Sequence, residues 1–516
     1  MATALVLKPY DNRRGLGWFA RLSFGIALLL LATFYGLLCA ILPPQLLIVP
    51  LAPILVMILL ILWMLPDSGG LWNVSAASYF AGFLVLNALW PPIAALSLPG
   101  LPVISAARTV LFILLAIFVL NFSMSAIMRS QVIEAISRVP ALYKLFWLFW
   151  GATVISIPFS GDLFFSLSKW FNNQIYWTVM FAAAAWLATR PGFALRSARI
   201  LVWTLTLIAV IGINEYRMQE MWWPAYLPNW LIADARLYEK LFAPSFRAYT
   251  TEYRVRGLLG NALYTAEYLS IVFPFLIYSL SRSKKTLHTL LLLAGTMATI
   301  MVMYFTSSRS AMIGMIITLA LYPLLEALRI RRQRPTSLMA NTVFYAYPAF
   351  AVALALIIVF WRRAHVLVFG GYQHQASTDA RSIQWALGWP KIFRHPFGHG
   401  VGRSGDVLGF FNPGQEYPTI DSYFLTLLLD YGFLGFLFFV GLVAWAAWTA
   451  ARTHLDAHDE ETLLLAPIAI GLTNFLIIKY AASTESNFPI VFILLGFAIV
   501  LVTRVRENRP KVAFST

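Results

Sequence analysis

Stretches of about 20 apolar residues, enough to carry a helix across the hydrocarbon of a bilayer, recur along this whole chain. Candidate spans cover 22–41, 45–65, 77–97, 108–126, 141–158, 172–188 and 198–214. A second set covers 262–281, 286–305, 310–328, 342–360, 433–450, 462–480 and 487–503. That makes about 14, with 77–97 and 172–188 the weakest by length. Composition agrees. Of 516 residues, 60% are hydrophobic and 12% charged, whereas soluble domains run nearer half apolar and a quarter charged. A mean hydropathy of +0.74 over this length needs many segments dissolved in lipid. The expected fold class is therefore all-α, a polytopic transmembrane helix bundle.

The net charge of +16 could point to nucleic acid, but the basic residues punctuate the apolar runs instead of sharing one face. Lys8, Arg13, Arg14 and Arg21 precede the first run. No small-residue cleavage site follows it, so an uncleaved first span is expected. With the N-terminus inside, the short inside loops carry Arg129 and Arg138; Arg190, Arg196 and Arg199; Arg282, Lys284 and Lys285; and Arg329, Arg331, Arg332 and Arg334. The tail with Arg504, Arg506, Arg509 and Lys511 also falls inside. This alternation follows the positive-inside rule and predicts an N-in, C-in topology. His454 and His458, in an acidic inside loop, read as solvated. The single cysteine, Cys39, excludes a disulfide or a cysteine metal site within one chain.

The domains expected are N-terminal transmembrane helices over 1–214 and a first large periplasmic loop over 215–261. Transmembrane helices with a Ser-Arg turn follow over 262–360, then a large periplasmic loop with short helices over 361–432. C-terminal helices and a cytoplasmic tail complete the chain over 433–516. No internal repeat is present at solenoid or propeller periods.

The outer loops hold the chemistry. Arg254 and Arg256 stand just before a span, followed by Gly257, Gly260 and Asn261. Guanidinium groups grip phosphate oxygens bidentately; anchoring to lipid headgroups is the alternative. Arg309, in Ser307-Ser308-Arg309, lies deep in apolar sequence, where a charge usually faces a cavity or a partner; snorkelling from a helix end is the alternative. Asp379 to Trp389 has the spacing of a short amphipathic helix, with Asp379 as its cap, Arg381 in its first turn and Pro390 as its stop. Arg394-His395-Pro396-Phe397-Gly398-His399-Gly400-Val401-Gly402 then reads as a turn with exposed amides. It is not a nucleotide loop, since no strand precedes it. His395 and His399 are four apart, but Pro396 and Gly398 forbid a two-histidine metal motif on one helix face. Asp421 sits at a plausible N-cap, or else is a carboxylate held at the bilayer surface beside several arginines. A cationic site of this kind, facing lipid and without a nucleotide motif, suits an anionic substrate already in the membrane, such as a polyprenyl diphosphate.

These motifs, in this order, resemble the O-antigen ligase and polymerase family. Arg254 with Gly257, Gly260 and Asn261 looks like its Arg-x-x-Gly…Asn element, and Ser308-Arg309 like its Ser-Arg turn. Arg381…Trp385…Pro396-x-Gly398-x-Gly400-Val401-Gly402 looks like its loop helix and Gly-rich turn. Asp421-x-Tyr423-x-Leu425…Asp430-x-Gly432-x-x-Gly435 looks like its closing element. The resemblance covers about residues 250–440. Ligases of the family commonly open the closing element with histidine; Asp421 there is more like the polymerases.

The resemblance implies metal-independent glycosyl transfer in a bacterial inner membrane, with the site facing the periplasm and no cofactor. Its substrates would be undecaprenyl-diphosphate-linked glycans, both as donor and as acceptor. Membrane lipids, chain-length regulators and flippases are the other partners expected, and nucleic acid is not. Asp421, Arg309, Arg381 and Arg254 would be catalytic, with Asp421 as general base and His395 or His399 as the alternate. Arg256, Asn261, His395, His399 and Tyr423 would contact substrate. Two rivals stay open: a ligase moving glycan onto lipid A core or protein, and a transporter or flippase. A transporter places its charges mid-span, and here Glu267 and Lys479 are the main ones.

Overall fold

The computed structural model describes residues 18–41, 57, 76–97, 103–243, 245–246, 252–362, 365, 375–412 and 417–508. The expected span 45–65 lies almost wholly outside them, as do Lys8, Arg13, Arg14, Arg509 and Lys511. The chain divides into two compact units. One holds α1 (Trp18–Ile41), a 24-residue helix where the first span was expected. The second holds everything else described below.

In the second unit α2 (Ala76–Leu89) is followed by a two-residue strand β1 (Ala95–Leu96), paired antiparallel with β2 (Ile104–Ser105). A span over 77–97 is thus cut short. Pro91 and Pro92 lack the N–H groups a helix needs, and Trp90 before them is pushed out of helical geometry. Next come α3 (Ala106–Met124), α4 (Ala126–Ser137) and α5 (Pro140–Ser156). The segment α6 (Leu163–Gln174) runs through a π turn, Ile175–Val179, into α7 (Met180–Ala188). The expected span 172–188 is the second half of this longer helix. Then follow α8 (Phe193–Met218), α9 (Ala235–Phe242), α10 (Ala262–Ser281), α11 (Thr286–Phe305), α12 (Arg309–Gln333) and α13 (Leu338–Phe360). The chain finishes with α14 (Gln375–Arg394), α15 (Ser404–Leu408), α16 (Tyr423–His454), α17 (Leu465–Lys479) and α18 (Phe488–Glu507).

Among the described residues, ten helices are long and apolar enough to cross a membrane. The protein is an all-α, multi-pass membrane protein. The two final helices are the most enclosed, and α13 is the most exposed. Because lipid is as apolar as leucine, close backbone approach holds such helices together, and small residues permit it. Gly496 of α18 meets the backbone of α7 at Phe181 and Ala185, and Gly471 of α17 meets the Ile271 carbonyl of α10.

The loops read as inside contact one another. Arg138 pairs with Glu507, Arg504 with Glu461 (2.5 Å), Arg332 with Asp456 (2.9 Å) and Arg282 with Glu326 (3.0 Å). Glu461 also accepts from the amides of Gly192 (2.8 Å) and Ala194 (2.9 Å). His454 is fully buried 3.6 Å from Glu326, not solvated as its acidic neighbours had implied. The reason is that α16 extends to His454 and packs on this cluster.

Two boundaries near the presumed site differ from expectation. The loop helix starts at Gln375 and runs through Pro390 to Arg394, so Asp379 lies inside it and does not cap it. One proline removes a single backbone bond, and a partly exposed helix tolerates that. The N-cap of α16 is Ser422, so Asp421 is not its cap either.

Candidate active site

Four elements converge at one place, and backbone contacts hold the first two. In the strand-like run before α10, the Arg254 amide donates to the Ser245 carbonyl (2.7 Å) and that of Val255 to the Phe305 carbonyl (3.0 Å). Arg254 Nε donates to the Thr306 carbonyl (3.2 Å). Arg254 therefore lies against the turn that joins α11 to α12. Ser307 takes a φ of 48° there, a left-handed conformation rare for a residue with a side chain. That turn brings Arg309 to the first position of α12.

Arg309 reaches the third element. Its Nη2 lies 3.4 Å from Thr378 Oγ1 on α14. Thr378, Arg381 and Gln384 are spaced i, i+3, i+6 and so share one face of α14. Gln384 is buried, and its Oε1 accepts from the Asp421 amide (2.9 Å). Arg381 interacts electrostatically with the Asp421 carboxylate. This one face therefore links Arg309 to Asp421. Burial pushes the Asp421 carboxyl above its ordinary value, and the Arg381 guanidinium pulls in the opposite direction without cancelling it. Ser483 donates to the Ile420 carbonyl next door, so the segment after α17 braces Asp421 from its other side.

The segment that follows α17 also holds a buried ion pair in place. Lys479 Nζ is 2.6 Å from Glu267 Oε1, and both side chains are fully enclosed. Glu267 accepts from Thr484 and from Asn487 Nδ2 (3.1 Å), and Lys479 donates to Thr484. The pair joins the start of α10 to the end of α17, at helix ends and away from mid-span. Glu267 Oε2 and the Lys479 ammonium are hydrogen-bonded, whereas Glu267 Oε1 meets Lys479 as an ion pair alone; removing one partner of a buried pair typically costs about 3–5 kcal/mol.

The Gly-rich turn forms a second unit. Gly432 breaks α16 with φ 69° and ψ −168°. The turn docks onto this elbow: Phe433 N donates to Pro396 O (3.0 Å), His399 N to Leu429 O (2.8 Å) and Gly400 N to Asp430 O (3.2 Å). The buried Asp430 carboxylate accepts from Gly402 N (2.9 Å) and Ser404 N (2.7 Å). Sequence reasoning placed Asp430 only within a motif; its work is to hold this turn. His399 Nδ1 lies 3.0 Å from the Leu429 carbonyl, which can only accept, so the proton sits on Nδ1. Burial lowers the pKa of His399. The His395 and His399 rings are 4.5 Å apart.

The predicted residues thus sort by place. Arg254, Arg309, Arg381 and Asp421 are linked. His395 follows the far end of α14, roughly 20 Å along the helix from Arg381 at 1.5 Å per residue. Arg256 gives its guanidinium to the carbonyls of Lys240 (3.0 Å), Leu241 (2.9 Å) and Ala243 (3.0 Å) at the end of α9. Asn261 caps α10 by accepting from Leu263 N (2.8 Å). Tyr423 is fully buried, its ring packed on Phe439 and Phe488 and facing Lys479 Nζ at 5.2 Å. Thr378 and Gln384 were missed, although their spacing to Arg381 on an amphipathic helix is a readable signal.

Part of the chain resembles a known family. Residues 290–440 match the O-antigen ligase family. The matched region contains Arg309, Arg381, Asp421 and the whole Gly-rich turn with its elbow; Arg254 precedes it. The match supports an O-antigen ligase or polymerase type of function, that of a glycosyltransferase-like membrane enzyme acting on lipid-linked glycan. No curated protein matches the chain.

Proposed function

We propose that this protein polymerises polyprenyl-diphosphate-linked oligosaccharide repeats at the periplasmic face of a bacterial inner membrane. The observation that carries this reading is the pair of contacts Arg254–Thr306 and Arg309–Thr378, made at the two ends of one short turn, together with Arg381–Asp421–Gln384, with α14 common to both sides. Arg381 acts on the Asp421 carboxylate, and Arg309 reaches the same helix at Thr378; with Arg254 they would supply the charge to bind a diphosphate and the base to accept a proton.

In the reaction, an acceptor hydroxyl oxygen attacks the anomeric carbon of the donor. The new glycosidic C–O bond forms as the bond to the diphosphate oxygen breaks, and the lipid diphosphate leaves with the electron pair. Asp421 takes the hydroxyl proton. A hydroxyl is a poor nucleophile at neutral pH and needs a positioned base, which contributes about 100- to 10,000-fold. Arg254, Arg309 and Arg381 stabilise the charge developing on the leaving diphosphate in a site of low dielectric. The distance of His395 from Arg381 along α14 favours Asp421 over the histidine pair as base.

The family description favours a second reading, a ligase that moves the finished glycan onto lipid A core or a protein. The chemistry is shared and the acceptor differs. Deleting a polymerase leaves a single repeat on the cell-surface acceptor, whereas deleting a ligase leaves none. Elongation of purified lipid-linked repeats, with and without EDTA, tests the reaction itself. Full-length product in EDTA supports metal-independent polymerisation; no elongation in either condition sinks it.

A further inference from the structure

The turn that carries Arg254 is gripped by a carboxylate outside the proposed machinery. Glu215, in the last turn of α8, is 1% exposed. Its Oε1 accepts from the Arg256 amide (2.8 Å) and the Tyr253 hydroxyl (3.1 Å), and its Oε2 from the Gly257 amide (2.7 Å). Three donors and no acceptor converge on it, the environment an ionised carboxylate satisfies. Gly257 has φ 62°, which turns its N–H toward the same carboxylate as that of Arg256. Thr265 Oγ1 closes the turn from the far side by donating to the Arg256 carbonyl (2.5 Å).

These contacts flank Arg254 on both sides. Tyr253 precedes it, and Arg256 and Gly257 follow Val255, whose own amide is tied to Phe305. Tyr216, beside Glu215, stacks on Phe305 at 3.7 Å. Phe305 ends α11, four residues before Arg309. The end of α8 therefore fixes both arginine-bearing turns against each other.

We propose that Glu215 is a positioning residue for the transfer reaction: its carboxylate locks the Tyr253–Gly257 turn so that Arg254 stays registered against the turn carrying Arg309. The proposal rests on the reading of Arg254 as a diphosphate-binding group. Positioning matters because a misplacement near 1 Å can cost on the order of 100-fold in rate.

The test is a double-mutant cycle in the elongation assay with purified full-length protein. Glu215→Gln keeps the shape but sets an NH2 donor against one of the N–H donors. We expect kcat to fall on the order of 100-fold with the KM for the acceptor repeat unchanged. Glu215→Gln combined with Arg254→Ala should be no slower than Arg254→Ala alone, since coupled residues are non-additive. Tyr253→Phe, which removes one donor and leaves both amide contacts, should lower kcat by a smaller factor. Multiplicative effects in the double variant, or normal kcat in Glu215→Gln beside a dead Arg254→Ala, overturn the proposal alone. Full activity of Arg254→Ala overturns the site reading beneath it, and the proposal falls with it. Should Glu215→Gln fail to fold, unchanged kcat in Tyr253→Phe overturns the proposal and a reduced kcat with unchanged acceptor KM supports it.

Discussion

At the scale of single residues, Arg309 and Asp421 bear the most weight. Arg309→Ala should abolish polymer synthesis while the protein still inserts, and Arg309→Lys should restore little, because a lysine offers a point charge where diphosphate can use a planar fork. Wild-type elongation by either variant would reduce Arg309 to an interfacial anchor. Asp421→Asn should leave expression and donor binding intact and slow elongation about 100- to 10,000-fold. Since Asp421 does not cap α16, no capping defect confuses that result. The pH profile gives a separate check. A base works deprotonated, so activity is lost as pH falls through its pKa, which burial sets above the ordinary 3.8. Removing the neighbouring cation makes the carboxylate harder to form. The residual activity of Arg381→Gln should therefore lose its acid limb at a higher pH than wild type. A limb that stays put would separate Arg381 from Asp421. Arg309 could be singled out in the sequence because a charge in apolar surroundings is conspicuous, and Asp421 because it stands at the head of the closing motif. Arg256, Asn261 and Tyr423 show the opposite. A motif match cannot tell a side chain that faces solvent from one that ties down a helix end, caps α10 or fills the core.

At the scale of elements, the helices follow the apolar runs closely, because the bilayer sets their length and caps or prolines set their ends. Pro91 and Pro92 end α2, while Pro390 fails to end α14. The elbow in α16 was not legible. Gly432 inside an apolar run looks like any other transmembrane glycine, and only the docked turn gives it meaning. A Cβ at Gly432 would lie 2.0 Å from the Pro396 carbonyl oxygen, and its φ of 69° is already unfavourable for a side chain. Gly432→Ala should therefore undock the turn, with a cost in the exceptional range above about 4 kcal/mol or an outright loss of folding. Asp430→Asn is the gentler probe. It replaces one acceptor with a donor facing an amide, costs about 1–3 kcal/mol and should speed hydrogen exchange at Gly402 and Ser404. Unchanged protection at both amides would mean that Asp430 does not hold the turn.

At the scale of the whole molecule, the positive-inside alternation and the contacts agree in one respect. The basic loops read as inside reach one another through Arg138–Glu507, Arg504–Glu461 and Arg282–Glu326. The groups assigned to the outer loops form their own cluster. We expect reporter fusions at Ser337 to signal from the cytoplasm and fusions at Asn412 from the periplasm. The reverse pattern at either position would invert the site along with the topology. An orientation could be proposed from the sequence because Lys and Arg bias insertion directly. The identity of the central helices could not, since α13 and α18 are equally apolar in sequence and only packing tells the exposed one from the enclosed one.

The enclosure of α18 has a consequence for how the protein is made. This helix follows all the others described here along the chain, so a ribosome delivers it after them. Until it arrives, the alanine face of α7 that receives Gly496 has nothing but lipid or a membrane chaperone against it. The earlier helices can enter the bilayer and pair with one another, but the packing of α7 on α18 is complete only when residues 488–507 arrive. That last step of assembly is late, and a nascent chain halted before Phe488 should remain open to proteolysis in the membrane.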